Sequence, residues 1–267
     1  MSHLICLDPV LRPQAVQWCD TFGLTLIKGH QLPPGGFHLC LDFSGLCLLS
    51  GDNPKVRVEV NFSQGAVAHR RRFGGGMGQD IAKAIGVSSQ YKPSVVDATA
   101  GLGRDTFVLA TLGCQVTAIE RQPVVAALLA DGLERAANDA GIADIIERIH
   151  FKYGASQNLL ALTGSRPYLA DIVYLDPMFD HDPKQTAQVK KDMQAFRDIV
   201  GQDHDAGDLL APAWQAARCR VVVKRARKAE PLAGKAPSYA ITGKSNRFDV
   251  YVKAKVTPPS DASQTEF

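Results

Sequence analysis

Residues 95–105, Val-Val-Asp-Ala-Thr-Ala-Gly-Leu-Gly-Arg-Asp, constrain the fold more than any other stretch. A short apolar run ends on an acidic residue, and two glycines, Gly101 and Gly103, then turn the chain into a helical run over 106–112 that Gly113 closes. The same unit repeats. Residues 115–119 are expected as a second strand and 123–138 as a long helix rich in alanine and leucine. Residues 171–175 and 220–223 are short β-branched runs expected as further strands. Strands that alternate with helices build a parallel sheet covered on both faces. The predicted fold class is therefore α/β, a doubly wound Rossmann-like sheet.

The amino-terminal region follows a different pattern. Leu39, Leu41 and Phe43 alternate with other residues, Ser44-Gly45 interrupts, and Leu46 and Leu48 resume, as in a hairpin. After the turn Gly51-Asp52-Asn53-Pro54, Val56, Val58, Val60 and Phe62 alternate with Lys55, Arg57, Glu59 and Asn61, the pattern of a half-exposed strand. The expected organisation is a small β-rich lobe over 1–68, a Rossmann-like domain over 69–257, and a polar, disordered tail over 258–267. A chain of 267 residues is long enough to bury one sizeable core with such a lobe attached. Six scattered cysteines form no C-x-x-C pair, so reduced thiols are expected, without zinc or disulfides. No basic segment followed by an apolar one opens the chain, and no apolar run reaches the roughly 18–20 residues of a membrane span. A soluble, cytoplasmic protein without membrane or metal partners is expected.

The glycine loop carries the first chemistry. Glu120 ends the next expected strand about 20 residues beyond the glycines, where a carboxylate can accept hydrogen bonds from ribose hydroxyls. A dinucleotide site would want a third glycine where Thr106 stands, and Asp105 would set a carboxylate where a pyrophosphate should lie. S-adenosylmethionine has no phosphate; its ammonium, carboxylate and sulfonium suit the mixed charges of Asp97, Arg104 and Asp105. The plainer alternative, a helix cap and a tight turn, leaves the register of Glu120 unexplained.

Asp176-Pro177-Met178-Phe179 follows directly on the buried run 171–175. Ligands of doubly wound sheets bind beyond the carboxyl ends of the strands, so this tetrapeptide is expected in the same crevice as the glycine loop. An exocyclic base amine is a poor nucleophile because its lone pair is delocalised into the ring. Asp176 and the Pro177 carbonyl can accept its two N–H groups and aim the lone pair at a methyl donor, and Phe179 can stack on the base. The alternative is an Asp-Pro turn with an incidental phenylalanine.

Two basic clusters, Arg70-Arg71-Arg72 and Lys224-Arg225-Ala226-Arg227-Lys228, point to a polyanionic substrate gripped through its phosphates. Arg218 and Arg220 lie just before the second. The alternative for either cluster is a solvated surface. Trp18 and Trp214 are expected in the core.

Taken together, residues 69–76, 97–105, Asp176-Pro177-Met178-Phe179, Val221-Val222-Val223-Lys224-Arg225 and Arg247-Phe248-Asp249 resemble a known family, the small-subunit ribosomal RNA guanine-N2 methyltransferases of type J. The resemblance implies a class I methyltransferase fold and methylation of guanine 1516 in 16S rRNA. It implies S-adenosylmethionine contacts at Arg104-Asp105, Glu120-Arg121, Ser156-Gln157 and Asp176, although the family usually carries two serines where Ser156-Gln157 stand. Its implied partner is small-subunit rRNA or the ribosomal particle. The residues alone reach only an exocyclic amine on a polyanion. They leave open an adenine or cytosine amino-methyltransferase acting on DNA, or a non-catalytic RNA-binding assembly factor.

Overall fold

In the computed structural model the described residues are 2–64, 76–161, 167–177 and 205–259. Arg70, Arg71, Arg72 and Phe179, the expected lobe boundary at 68/69 and most of the expected tail lie outside them.

The amino-terminal strands β1 (His3–Cys6), β2 (Thr25–Leu26), β3 (Phe37–Asp42), β4 (Gly45–Ser50) and β5 (Arg57–Val58) form a sheet in the order β2-β1-β3-β4-β5. β3 and β4 are the expected hairpin, with Leu39 opposite Leu48 and Leu41 opposite Leu46. Helix α1 (Arg12–Phe22) joins β1 to β2, and its apolar residues Ala15, Trp18, Cys19 and Phe22 are buried. The expected strand over 56–62 is cut to two residues. Val60 and Phe62 leave the sheet and are buried instead against the second layer of the molecule.

That layer holds α2 (Asp80–Ile85), β6 (Val95–Asp97), α3 (Arg104–Thr111), β7 (Val116–Glu120), α4 (Pro123–Ala137), α5 (Ala143–Ile146), β8 (Ile149–Tyr153), α6 (Ser156–Ala161), β9 (Ala170–Leu175), α7 (Leu210–Ala216), β10 (Ala217–Ala226), β11 (Tyr239–Thr242) and β12 (Asn246–Val252). The sheet order is β11-β12-β10-β9-β6-β7-β8. Strands β8, β7, β6, β9 and β10 run parallel, while β12 is antiparallel to β10 and to β11. This is the doubly wound, class I Rossmann-like fold. Neighbouring strand residues face opposite layers. Ile172 and Tyr174 pack with Phe107 and Leu129 on one side, and Val173 and Leu175 with Leu160 and Leu210 on the other. The chain winds to one side of β6 through β7 and β8, then returns to β9 on the other, leaving a crevice at the carboxyl ends of β6 and β9, where such folds bind ligands.

Trp214 is 41% exposed rather than in the core, its ring facing the Lys253 ammonium at 5.5 Å. It sits on the outer side of α7, whose inner face is filled by Leu210, Ala213 and Ala216. All six cysteines are free and buried. Among the described residues no helix is long and apolar enough to cross a membrane.

Candidate active site

The glycine loop is organised from inside by Asp97. Its carboxyl group, 1% exposed, accepts the Thr106 hydroxyl at 2.6 Å and the Thr99 N–H at 3.3 Å. Burial pushes it up to about 7, with Asp105 and Asp176 adding to the rise and the Thr106 and Thr99 hydrogen bonds opposing it. Thr106 thus stands where a dinucleotide fold would have glycine because its hydroxyl is needed by Asp97. Gly101, at φ +54°, donates its N–H to Glu120 at 2.9 Å, and the other Glu120 oxygen accepts the Gln122 N–H at 2.8 Å.

The two glycines have different reasons. A Cβ on Gly101 would meet nothing within 4 Å, so bare backbone faces open space there. A Cβ on Gly103 would lie 2.6 Å from Leu129 and 3.1 Å from Phe62, so this glycine admits α4 and the amino-terminal lobe rather than a ligand.

The second half of the site comes from β9 and β10. Their parallel pairing sets Val223 beside Leu175, which brings Lys224 level with Asp176. The Lys224 ammonium lies 2.7 Å from Asp176 and 2.7 Å from Asp105, and the Tyr174 hydroxyl donates to Asp105 at 2.7 Å. Thr99 accepts the Asp176 N–H at 2.6 Å, tying the end of β9 to the glycine loop. Burial pushes the Asp176 carboxyl up to about 6; Lys224 pulls it down and Asp105 pushes it further up. The two carboxylates hold the Lys224 ammonium well above its usual range, against its burial. Burial and the same carboxylates hold the Tyr174 phenol protonated.

These groups line one cavity of about 280 Å³, together with Arg104, Glu120, Arg121, Ser156, Gln157 and Pro177. The Ser156 hydroxyl is buried and donates to the Ala98 carbonyl at 2.5 Å, so it shapes the wall. Arg121 grips Asp205 through two nitrogens at 2.5 and 2.8 Å, and Gln157 donates to the same carboxylate at 3.1 Å. The Arg121 hydrogen bonds hold Asp205 below its usual range. Sequence reasoning missed Asp205, Thr99 and Tyr174. Asp205 stands in no motif and is joined to Arg121 only by folding, whereas Tyr174 lies on β9 two residues before Asp176 and faces the same layer as α3.

The second basic cluster is divided by the sheet. Lys224 lies inside the cavity, and Arg225 is buried with its guanidinium donating to the Glu230 carbonyl at 3.0 and 2.6 Å. Arg218 is paired to Asp171 at 2.5 Å, and Arg220 donates to the Ala84 carbonyl at 2.8 Å. Basic residues on a strand covered from both sides must take partners within the fold. Only Arg227 and Lys228 of the expected phosphate-gripping set within the described residues are exposed. Among the described residues no group of three or more His, Cys, Asp or Glu is placed to hold a metal.

Residues 17–253 match a family model described as "Putative SAM-dependent methyltransferase". The chain is 49% identical over 254 residues to the ribosomal RNA small subunit methyltransferase J of Pseudomonas syringae, covering 94% of this chain and 91% of that one. It is 53% identical over 224 residues to the protein of that name in Colwellia psychrerythraea, covering 84% and 80%. Its fold is similar to the crystal structure of an S-adenosylmethionine-dependent methyltransferase from Neisseria gonorrhoeae, with TM-score 0.72, 36% identity, and coverage of 96% and 99%.

Proposed function

The chain belongs to the S-adenosylmethionine-dependent methyltransferases of the ribosomal RNA small subunit methyltransferase J family, and from that premise we propose that it methylates the exocyclic N2 amine of guanine 1516 in 16S small-subunit rRNA. One observation carries the reading: Asp176 and Pro177, from the end of β9, meet the glycine loop and Glu120 in a single cavity.

The residues present suit the cofactor. Gly101 offers bare backbone to an open side of the cavity. Asp97, Asp105, Glu120 and Asp176 supply negative charge, and Arg104, Arg121 and Lys224 positive, which matches an amino-acid zwitterion beside a sulfonium and a ribose. In this reading Asp97, Gly101, Arg104, Asp105, Glu120, Arg121, Gln157 and Asp176 hold it, with Ser156 shaping the wall, while Gly103 stands behind the loop against Leu129 and Phe62. When bound, the cofactor supplies a methyl group on a positively charged sulfur.

The chain's own task is to present the nucleophile. The Asp176 carboxylate and the Pro177 carbonyl accept the two N–H groups of the guanine amine and turn its lone pair toward the donor, so that positioning supplies most of the acceleration. Positive charge grows on the nitrogen as the N–C bond forms, and the adjacent carboxylate stabilises it. The methylated nitrogen then sheds one proton, for which Asp176 is the neighbouring base. Phe179 serves as a stacking surface for the base, worth about 1–3 kcal/mol. Arg70, Arg71, Arg72, Arg227 and Lys228 grip phosphates in the cytoplasmic rRNA.

The test is to incubate the purified protein with methyl-labelled S-adenosylmethionine and small-subunit rRNA from cells lacking this protein, then digest the RNA to nucleosides. Label in N2-methylguanosine is expected. Label in an adenine or cytosine nucleoside, or none, contradicts the proposal.

A further inference from the structure

Lys224 does more than the expected phosphate contact asks of it. Its ammonium is fixed at 2.7 Å from Oδ2 of Asp176 and 2.7 Å from Oδ2 of Asp105. Asp105 is itself fixed by the Tyr174 hydroxyl at 2.7 Å, so the ammonium has a rigid second anchor on α3. Among the described residues no side chain engages Oδ1 of Asp176. We propose that Lys224 is a positioning residue for methyl transfer: held by Asp105, it orients the Asp176 carboxylate through one oxygen and keeps it anionic, leaving the other oxygen for the base amine. The proposal rests on the acceptor role given to Asp176 above.

The charge arrangement favours such a group. Asp97 from β6, Asp105 from α3, Glu120 from β7 and the Asp176 that follows β9 converge on one partly enclosed cavity, with Tyr174 neutral among them and Arg104 and Arg121 also lining it. Among the described residues Lys224 is the cation paired with both Asp105 and Asp176. Burial and like charge both favour protonating a carboxyl here, and the ammonium opposes them. A protonated Asp176 would offer the amine one acceptor fewer and little negative potential. Lys224 cannot grip a phosphate without abandoning two carboxylates, so a backbone-binding role and a positioning role predict different kinetics.

The experiment compares wild type, Lys224→Met and Lys224→Arg by two readouts. The first is the Asp176 carboxyl titration, followed by 13C NMR of aspartate-labelled protein and assigned with Asp176→Asn. The second is the pH dependence of kcat with small-subunit rRNA, together with KM. In wild type the titration midpoint is expected at about 6. Lys224→Met should raise it by about 1–3 pH units, carry the acidic limb of kcat with it, and leave KM for rRNA within about a factor of two. Lys224→Arg should restore the wild-type midpoint. A midpoint and limb that do not move in Lys224→Met, or a raised KM with an unchanged kcat profile, overturns the proposal. If thermal melting shows the methionine variant unfolded, Lys224→Gln supplies the same comparison. The NMR titration needs no turnover, so a failure of rRNA methylation would sink the function proposed above while Lys224 was still judged by the midpoint.

Discussion

At the scale of single residues, the proposed acceptor is Asp176, and Lys224, Thr99, Thr106 and Tyr174 hold it and the loop in place. Asp176→Ala is expected to lower kcat by about 100- to 1000-fold, as loss of a preorganised charge partner does in other enzymes, with the thermal melt retained. On the proposed acceptor role, the carboxylate form is the active one. Its ordinary acid range is raised by burial to about 6, so kcat should be full above that pH and fall as pH drops through it. A pH–rate profile with no acidic limb near 6 would contradict the assignment. Much of this residue set was legible in the sequence. Asp97 and Glu120 each end a buried strand and Asp176 directly follows one, and strand ends converge in this topology. What was not legible is partnership. Lys224 stands in a run of basic residues that looks like one surface, and only the register of β10 against β9 separates it from Arg227 and Lys228.

At the scale of elements, α4 and the amino-terminal lobe are fitted to each other through glycine. Gly132 lies within α4, where alanine would ordinarily favour the helix by about 1 kcal/mol. A Cβ there would lie 2.3 Å from Cγ1 of Val60, and the Arg135 guanidinium beside it donates to the Val60 carbonyl at 2.7 Å. Overpacking of that kind costs about 1–3 kcal/mol and outweighs the propensity gain. Gly132→Ala is expected to lower the Tm by a few degrees in a thermal melt, with an unchanged or higher Tm as the contrary result. The same contact explains why the alternation over 56–62 fails to make a full strand. Val60 and Phe62 gain more burial against α4 and the glycine loop than a strand's outer edge would give them. The βα units around the glycine loop were legible because their strands are continuous apolar runs between glycines. β8 (IHFKY) and the second half of β12 alternate in the strand period, and α1 sets Ala15, Trp18, Cys19 and Phe22 at helical spacing, so these elements carried a period that sequence reasoning passed over, whereas β11 (YAIT) is too short to show one.

At the scale of the whole molecule, the two sheets share one core. Leu4, Trp18, Phe22, Leu41 and Leu48 of the lobe belong to the same buried cluster as Phe107, Leu129, Tyr174 and Val250. The proposed division at 68/69 therefore separates two sheets rather than two cores. A shared core should melt once, so the full chain is expected to unfold in a single cooperative transition by calorimetry and circular dichroism; two resolved transitions would show that the lobe is an independent unit. Because Phe62 reaches to the ring of Phe107 at 5.0 Å and to the Gly103 turn, the lobe also braces the glycine loop from behind. The central claim joins this scaffold to one reaction, donor pocket and acceptor carboxylate in the same crevice serving a guanine amine. The measurement that reaches it most directly is methylation of small-subunit rRNA from cells lacking this protein, by wild type and by Asp176→Ala, with the modified position mapped. One new methyl group is expected, on the N2 amine of guanine 1516, placed by the wild type and nearly absent with the variant. A methyl group elsewhere, on another base, or placed equally well without the Asp176 carboxylate would contradict that claim.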